Sequence, residues 1–267
     1  MDPGLGPETM KSAATYLYCL TRGAEPPLAT APPGLPGCGP LRILAVGGGL
    51  WLVASDAPLP QYGSAEIQSR LQDLSWVSDR ALAHEAVVEH CARAAAVIPM
   101  KLFTLFTSDD RALAHVRAGR ERLDRALDRI SGCSEWGVRV RLDEARAREV
   151  AASEAAEASR PGSGTGFLLR KKMEQEASRT LAARLRAEVD EVYAELSRSA
   201  AEALRREAVT PEAGARMLLD AAFLVPAERA AEFEEAVQRC SARLAPGACE
   251  VTLTGPWPAY NFVEETG

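Results

Sequence analysis

The chain has 267 residues, 47% of them hydrophobic and 25% charged, with 20 Gly and 17 Pro, which is the composition of an ordinary folded protein and excludes a collagenous or largely disordered one. Thirty-one Lys and Arg against 37 Asp and Glu give a net charge of −6, which opposes a phosphate backbone and excludes nucleic acid as the main partner. The length exceeds the roughly 100 to 150 residues of one common domain, so two domains are expected.

The start, Met1 to Met10, lacks a cationic end and an apolar core, so it does not read as a secretory signal, and the expected location is cytoplasmic. Thr15 to Leu20 is short and aromatic-rich and predicts a first strand. Gly23 to Pro40 holds six prolines and four glycines, the composition of a surface loop. Leu41 to Val46 and Leu50 to Ala54 then flank a glycine triplet and predict a β-hairpin. The apolar run Ile43 to Ala54 spans twelve residues with that triplet inside it. A membrane-spanning helix needs about 20, so no lipid membrane is expected as a partner.

From Ser78 to Ala95 the chain has no Gly or Pro, and Ala83, Val87, His90, Cys91 and Ala94 share one side of a helix capped by Ser78 or Asp79. Met100 to Phe106 alternates as a half-buried strand would. Ser108 and Asp109 then cap a helix with the stripe Leu113, Val116, Leu123, Leu127 and Ile130, which ends at Gly132. Interleaving strands and helices around a hairpin predicts a mixed sheet with helices on one face.

Trp136 to Leu142 begins the second half as a strand with Val138, Val140 and Leu142 on one side. Helix follows from Asp143, breaks at Pro161 to Gly166, and continues from Phe167 to about Ala208, which as one helix would be about 60 Å long. Its stripe of Leu181, Leu185, Val189, Val192, Leu196, Ala200 and Leu204 fits either a core helix or a protruding coiled-coil-like arm paired with the helix before it. Met217 to Val225 reads as a strand, Ala227 to Arg243 as a helix burying Phe233, Val237 and Cys240, and Cys249 to Thr254 as a last strand. This is close to a split β-α-β order. The expected fold is therefore α+β with two ferredoxin-like variants, each a mixed or antiparallel sheet with helices, the second with long coiled-coil-like helices over about 143–208. The expected domains are 1–132, 133–254 and a C-terminal tail, 255–267.

Signatures of chemistry are sparse. Gly162 to Gly166 resembles a phosphate cradle, but no Gly-Lys-Ser/Thr follows it; a hinge is the plainer reading, with a small-molecule or enzymatic loop as the alternative. His84 and His90 point about 120° apart on one helix, so they form no i, i+4 metal pair, and His115 stands alone. Six scattered cysteines without a C-x-x-C pair read as buried small apolar residues. No catalytic, cofactor-binding or metal-ligating residue emerges, and the chain is read as a non-enzyme. Arg170, Lys171 and Lys172 form a cationic cluster that is either solvated or turned to an acidic partner.

Six stretches in order carry a resemblance. They are Tyr16 to Tyr18; His84 with Val87 and Val88; Val97 to Phe103; Glu135 to Val140; Gly164 to Lys171; and Leu253 to Phe262 with its Gly-Pro-Trp-Pro string. Together they resemble the gas vesicle protein F and L family (GvpL/GvpF) over some 250 residues. Leu102 to Leu105 and Phe167 depart from the family's usual residues. The resemblance implies an accessory structural protein of gas vesicle formation. Its partners would be the small hydrophobic shell protein and other gas vesicle accessory proteins, and it would carry no catalytic residues. An assembly factor that keeps shell subunits soluble and a minor component of the mature wall both remain open. In the terminal segment Trp257, Tyr260 and Phe262 are candidates to cover or gate a partner surface, or to pack on their own domain; Arg170 and Lys171 complete the candidate set.

Overall fold

The computed structural model describes residues 12–26, 28–93, 96–158, 166–207 and 215–263, apart from the side chains of 157, 158, 166–170 and 174. The chain divides into two compact units, one formed by Met1–Ser131 with Pro258–Gly267 and the other by Gly132–Trp257.

The first unit begins with β1 (Ala13–Arg22), followed by β2 (Arg42–Gly47) and β3 (Leu50–Pro58). Next come three helices, α1 (Leu59–Tyr62), α2 (Ser64–Arg70) and α3 (Leu74–Ala92). Short strands β4 (Ala96–Pro99) and β5 (Leu105–Phe106) precede α4 (Asp109–Ala118) and α5 (Arg120–Ile130). The sheet order is β2-β3-β1-β4, with β5 also on β1, and every pairing is antiparallel. The expected hairpin is present. Gly48 and Gly49 form its two-residue turn with φ of +58° and +73°, the left-handed pair that lets the strands keep their twist.

β1 is buried at every residue from Ala14 to Thr21, which requires cover on both faces of the sheet. Tyr16 and Tyr18 pack with Val87, Val88 and Cys91 of α3 in one cluster. Leu17 lies instead with Val116 and Leu123 of α4 and α5. Helices on one face only, as interleaving suggested, is thus corrected. The hairpin leaves β1 central, and a central strand with two apolar sides needs two layers.

Three boundaries also differ. α3 starts four residues before Ser78, because the Asp73 carboxylate accepts from Trp76 N at 3.0 Å and so caps the helix. Of the strand expected over Met100 to Phe106 only Leu105 and Phe106 join the sheet, as β5, and Met100 to Thr104 form the loop between β4 and β5. Phe103 there has φ +66° and stacks on Trp76 at 5.3 Å, a contact that an extended chain would not make. The single helix expected after Ser108 is two, divided at Gly119. Ser108 does cap the first, its hydroxyl accepting from Arg111 N at 3.3 Å.

The second unit runs β6 (Cys133–Asp143), α6 (Glu144–Ala158), α7 (Gly166–Ser199), β7 (Glu202–Arg205), β8 (Ala215–Pro226), α8 (Ala230–Leu244) and β9 (Cys249–Trp257). Its sheet order, β7-β8-β6-β9, is all antiparallel and is the ferredoxin-like arrangement, with the α6–α7 hairpin in the place of the first helix. α7 ends nine residues before Ala208. Leu181, Leu185, Val189, Val192 and Leu196 are all at most 2% exposed and pack with Trp136, Phe223 and Phe233. Leu204, placed on the same stripe by its spacing, lies on β7. The C-terminal half of α7 is therefore a core helix. Ahead of it, α7 pairs with α6 through Ala151 and Ala155, and Arg184 reaches Glu154 at 3.0 Å. β9 runs three residues past Thr254 to Trp257.

Candidate functional site

The first unit contains a cleft of about 530 Å³. Its floor is apolar: Leu17 from β1, Ile98 from β4, Met100 from the following loop, Val116 and Leu123 from α4 and α5, and Val263 from the terminal segment. Tyr260 forms another part of the wall, and Lys101, His115 and Arg122 supply cationic or protonatable groups. Among the described residues no Asp or Glu lines it. A volume of this size falls within the roughly 300 to 1,000 Å³ of ligand pockets.

Three sets of contacts build the walls. Asp109, the first residue of α4, accepts from Thr15 Oγ1 and from Arg42 Nη2, each at 2.7 Å, which fixes the start of α4 against β1 and β2. Arg120 of α5 donates to Gly47 O at 2.9 Å, so the hairpin turn holds the second helix. The loop over Met100 to Thr104 is held by a buried aromatic network. His84 Nε2 lies 3.0 Å from Met100 O, and the Tyr16 hydroxyl lies 2.7 Å from His84 Nδ1.

That network has one consistent proton arrangement. A carbonyl can only accept, so Nε2 carries the proton and donates to Met100 O. Nδ1 of the neutral ring then accepts from the Tyr16 hydroxyl, whose oxygen in turn accepts from Phe103 N at 3.4 Å. Burial lowers the His84 pKa to about 4, which keeps the ring neutral, and burial likewise pushes the Tyr16 hydroxyl upward. Tyr18 stacks on the same ring at 5.5 Å, and its hydroxyl accepts from Leu35 N at 2.9 Å. The proline-rich segment is therefore not wholly a surface loop, since Leu35 is 2% exposed.

The terminal segment is attached at two points. The Tyr260 hydroxyl donates to Glu85 Oε2 at 2.5 Å, and Arg129 donates to the Phe262 carbonyl. Phe262 is only 4% exposed, so its ring offers no free contact area and acts inward instead. Tyr260 lines the cleft. Trp257 ends β9 in the second unit and is 40% exposed. Lys171 is exposed on α7, and the Arg170 side chain lies outside the described residues, as do Gly162 to Thr165 of the glycine-rich string. His90 is on α3, and the His115 ring sits 5.2 Å from Phe106. Among the described residues no group of His, Cys, Asp and Glu could hold a metal ion, and no helix is long and apolar enough to cross a membrane.

Sequence reasoning did not single out Lys101, His115 and Arg122. A signal existed for two of them: His115 and Arg122 are seven residues apart, which is nearly two helical turns and one face. The predicted stripe drew attention to its apolar members instead, of which Val116 and Leu123 line the same cleft.

Fold and cleft together define a two-unit α+β protein with an apolar, cationic-edged cleft suited to holding another molecule. The chain belongs to the gas vesicle synthesis protein GvpL/GvpF family, whose profile matches residues 14–264. It is 33% identical over 252 residues to gas vesicle protein L of Streptomyces sp. strain CB03234, covering 92% of this chain and 91% of that one. It is 29% identical over 265 residues to gas vesicle protein F of the same strain, covering 94% and 100%. Its fold is similar to the crystal structure of GvpF from Anabaena sp. PCC7120, with TM-score 0.70 at 17% identity over 96% of this chain and 98% of that one. GvpF from Microcystis aeruginosa gives TM-score 0.67 at 15% identity over 94% and 99%. The family suggested by the six sequence stretches is thereby established. With it comes a part in gas vesicle formation among gas vesicle components.

Proposed function

We propose that this protein is an accessory factor that binds the small hydrophobic shell subunit of the gas vesicle, keeps it soluble before polymerisation, and assists nucleation or growth. The observation that carries this reading is the apolar cleft of the first unit, walled by Tyr260 and Val263 of the terminal segment. A shell subunit with a large apolar face aggregates unless that face is covered, and a preformed apolar cleft is the surface that covers part of it. Tyr260 is the member of the expected aromatic set that reaches the cleft, while buried Phe262 anchors the segment that carries it. Exposed Trp257 and Lys171 remain candidates for further partner contacts.

The test is light scattering of purified shell subunit diluted out of denaturant, with and without a molar equivalent of this protein. Suppressed scattering with co-elution in one complex is the expected result. Unchanged scattering without co-elution refutes the solubilising role. Detection of the protein in washed, intact vesicles, with scattering unaffected, would favour a wall component instead.

A further inference from the structure

We propose that the outward side of α3 is a second docking surface, which receives an amphipathic helix of another gas vesicle component with Lys or Arg beside its apolar stripe. Among the described residues five large apolar side chains are exposed, and four of them, Leu59, Leu71, Leu74 and Leu82, fall within α1 to α3 and the turns between. Leu74 is 80% exposed and Leu82 68%, the highest values of the five. Apolar side chains left in water contribute nothing to folding, and a cluster of them marks a place where another molecule binds.

The two leucines stand eight residues apart on α3, about two turns or about 12 Å along its axis. Between them on the same side are Ser75 and Ser78, both exposed and both short, so the leucines bracket a gap for one large apolar side chain of a crossing helix. α3 turns Trp76, Val87, Val88 and Cys91 into the core, and the leucines lie on the other side. A helical occupant fits because it satisfies its own backbone; an extended segment would find no strand edge on α3 to receive its N–H and C=O groups.

Charge narrows the occupant further. Asp79 is exposed next to Ser78, Glu89 lies about two turns beyond Leu82 on the same side, and Glu85 accepts from Tyr260. The arginines nearby are engaged or lie past the stripe. Arg70 pairs with Glu66 at 2.6 Å, Arg80 sits 4.5 Å over the Trp76 ring, and Arg93 follows the end of α3. An acidic border repels an acidic helix and attracts Lys or Arg. It also disfavours a second copy of this chain, because a two-fold pair centred between the leucines brings Asp79 against its own counterpart.

The experiment titrates three synthetic peptides of about 20 residues, each fluorescently labelled, with the full-length protein at physiological ionic strength. One carries a leucine stripe flanked by lysines, one the same stripe flanked by glutamates, and one the lysine peptide's composition scrambled so that no stripe forms. Wild type is compared with the double variant Leu74→Ser, Leu82→Ser and with Asp79→Lys, after circular dichroism and melting have shown both folded. All three positions are exposed, so the fold is expected to survive. The expected result is that the lysine peptide binds wild type about tenfold more tightly than either of the others, and that the double variant loses about tenfold. Asp79→Lys should narrow the margin between the lysine and glutamate peptides. Undiminished binding to the double variant, or no binding to wild type, overturns the docking surface. Equal binding of the lysine and glutamate peptides to wild type, or a margin unchanged in Asp79→Lys, overturns the cationic partner. A wild-type dimer in sedimentation velocity that the double variant lacks overturns that partner in favour of a second copy. Leu74, Leu82 and Asp79 do not line the cleft, so each outcome is separate from the shell-subunit reading.

Discussion

The hydroxyl of Tyr260 donates a 2.5 Å hydrogen bond to Glu85, joining residues 175 positions apart and closing the terminal segment onto the helix that carries the buried His84. Burial, followed by the neighbouring carboxylate, pushes the Tyr260 hydroxyl well above its ordinary range, so the phenol keeps its proton and the bond keeps its direction. The chain thereby holds one wall of its own cleft in place.

Tyr260→Phe removes the donor and leaves a carboxylate with less solvation. A cost of about 1 to 3 kcal/mol is expected, as for other hydrogen bonds to charged groups. Urea unfolding should show the loss, and proteolysis of the terminal segment should become faster. A variant with wild-type midpoint and protection would show that the bond contributes nothing.

Acid should destabilise the first unit through His84. Its folded pKa of about 4 lies below the 6.5 of an unfolded histidine, so the unfolded chain binds more protons between those values. The stabilisation is complete above about pH 6.5 and is lost as pH falls toward 4, in total about 3 kcal/mol. His84→Gln should be less stable at pH 7.5, since it disturbs the bonds to Tyr16 and Met100, yet should show a flatter decline with acid. Unfolding free energies between pH 7.5 and 4 measure both effects, and equal slopes for the two proteins would refute the assignment.

Two leucines on long helices should respond very unequally to substitution. Leu196 of α7 is fully buried, and Leu196→Ala should cost about 2 to 5 kcal/mol through lost burial and a residual cavity. Leu82 of α3 is 68% exposed, and Leu82→Ser should change stability by no more than about 0.5 kcal/mol. Denaturant midpoints for both, at unchanged slope, decide the matter.

The hairpin turn offers a backbone test. Gly49 has φ +73°, and a Cβ there would meet the Gly23 carbonyl oxygen at an ordinary 3.9 Å, so Gly49→Asn should be tolerated and Gly49→Val should cost about 1 to 2 kcal/mol. Thermal melts of the two variants should separate by several degrees; coincident melts would show that the left-handed geometry carries no cost.

Legibility of the fold followed the range of the physics. Val138, Val140 and Leu142 lie on one side of β6, and Leu181 to Leu196 form one stripe on α7, because strand and helix periodicity is written in neighbouring residues. Glycines 47 to 49 marked the hairpin for the same reason, since positive φ is a local demand. The continuation of that stripe to Leu204 misled, because a four-residue edge strand has too few positions to display its own period.

The six ordered stretches determined the family, and local patterning determined the α+β class, the hairpin, the apolar stripe of the long helix and the second sheet's strand–helix order, while the choice between core helix and protruding arm was left to the packing of Leu181 to Leu196. Tertiary structure alone decided that the loop after Pro99 bends left-handed at Phe103 to stack on Trp76, and that His84 is held neutral between Tyr16 and Met100. It also decided that Phe262 turns inward while Tyr260 meets Glu85. Those contacts join residues far apart in the chain. Periodicity records which side of an element is apolar, but the identity of what that side meets depends on where the other elements fold.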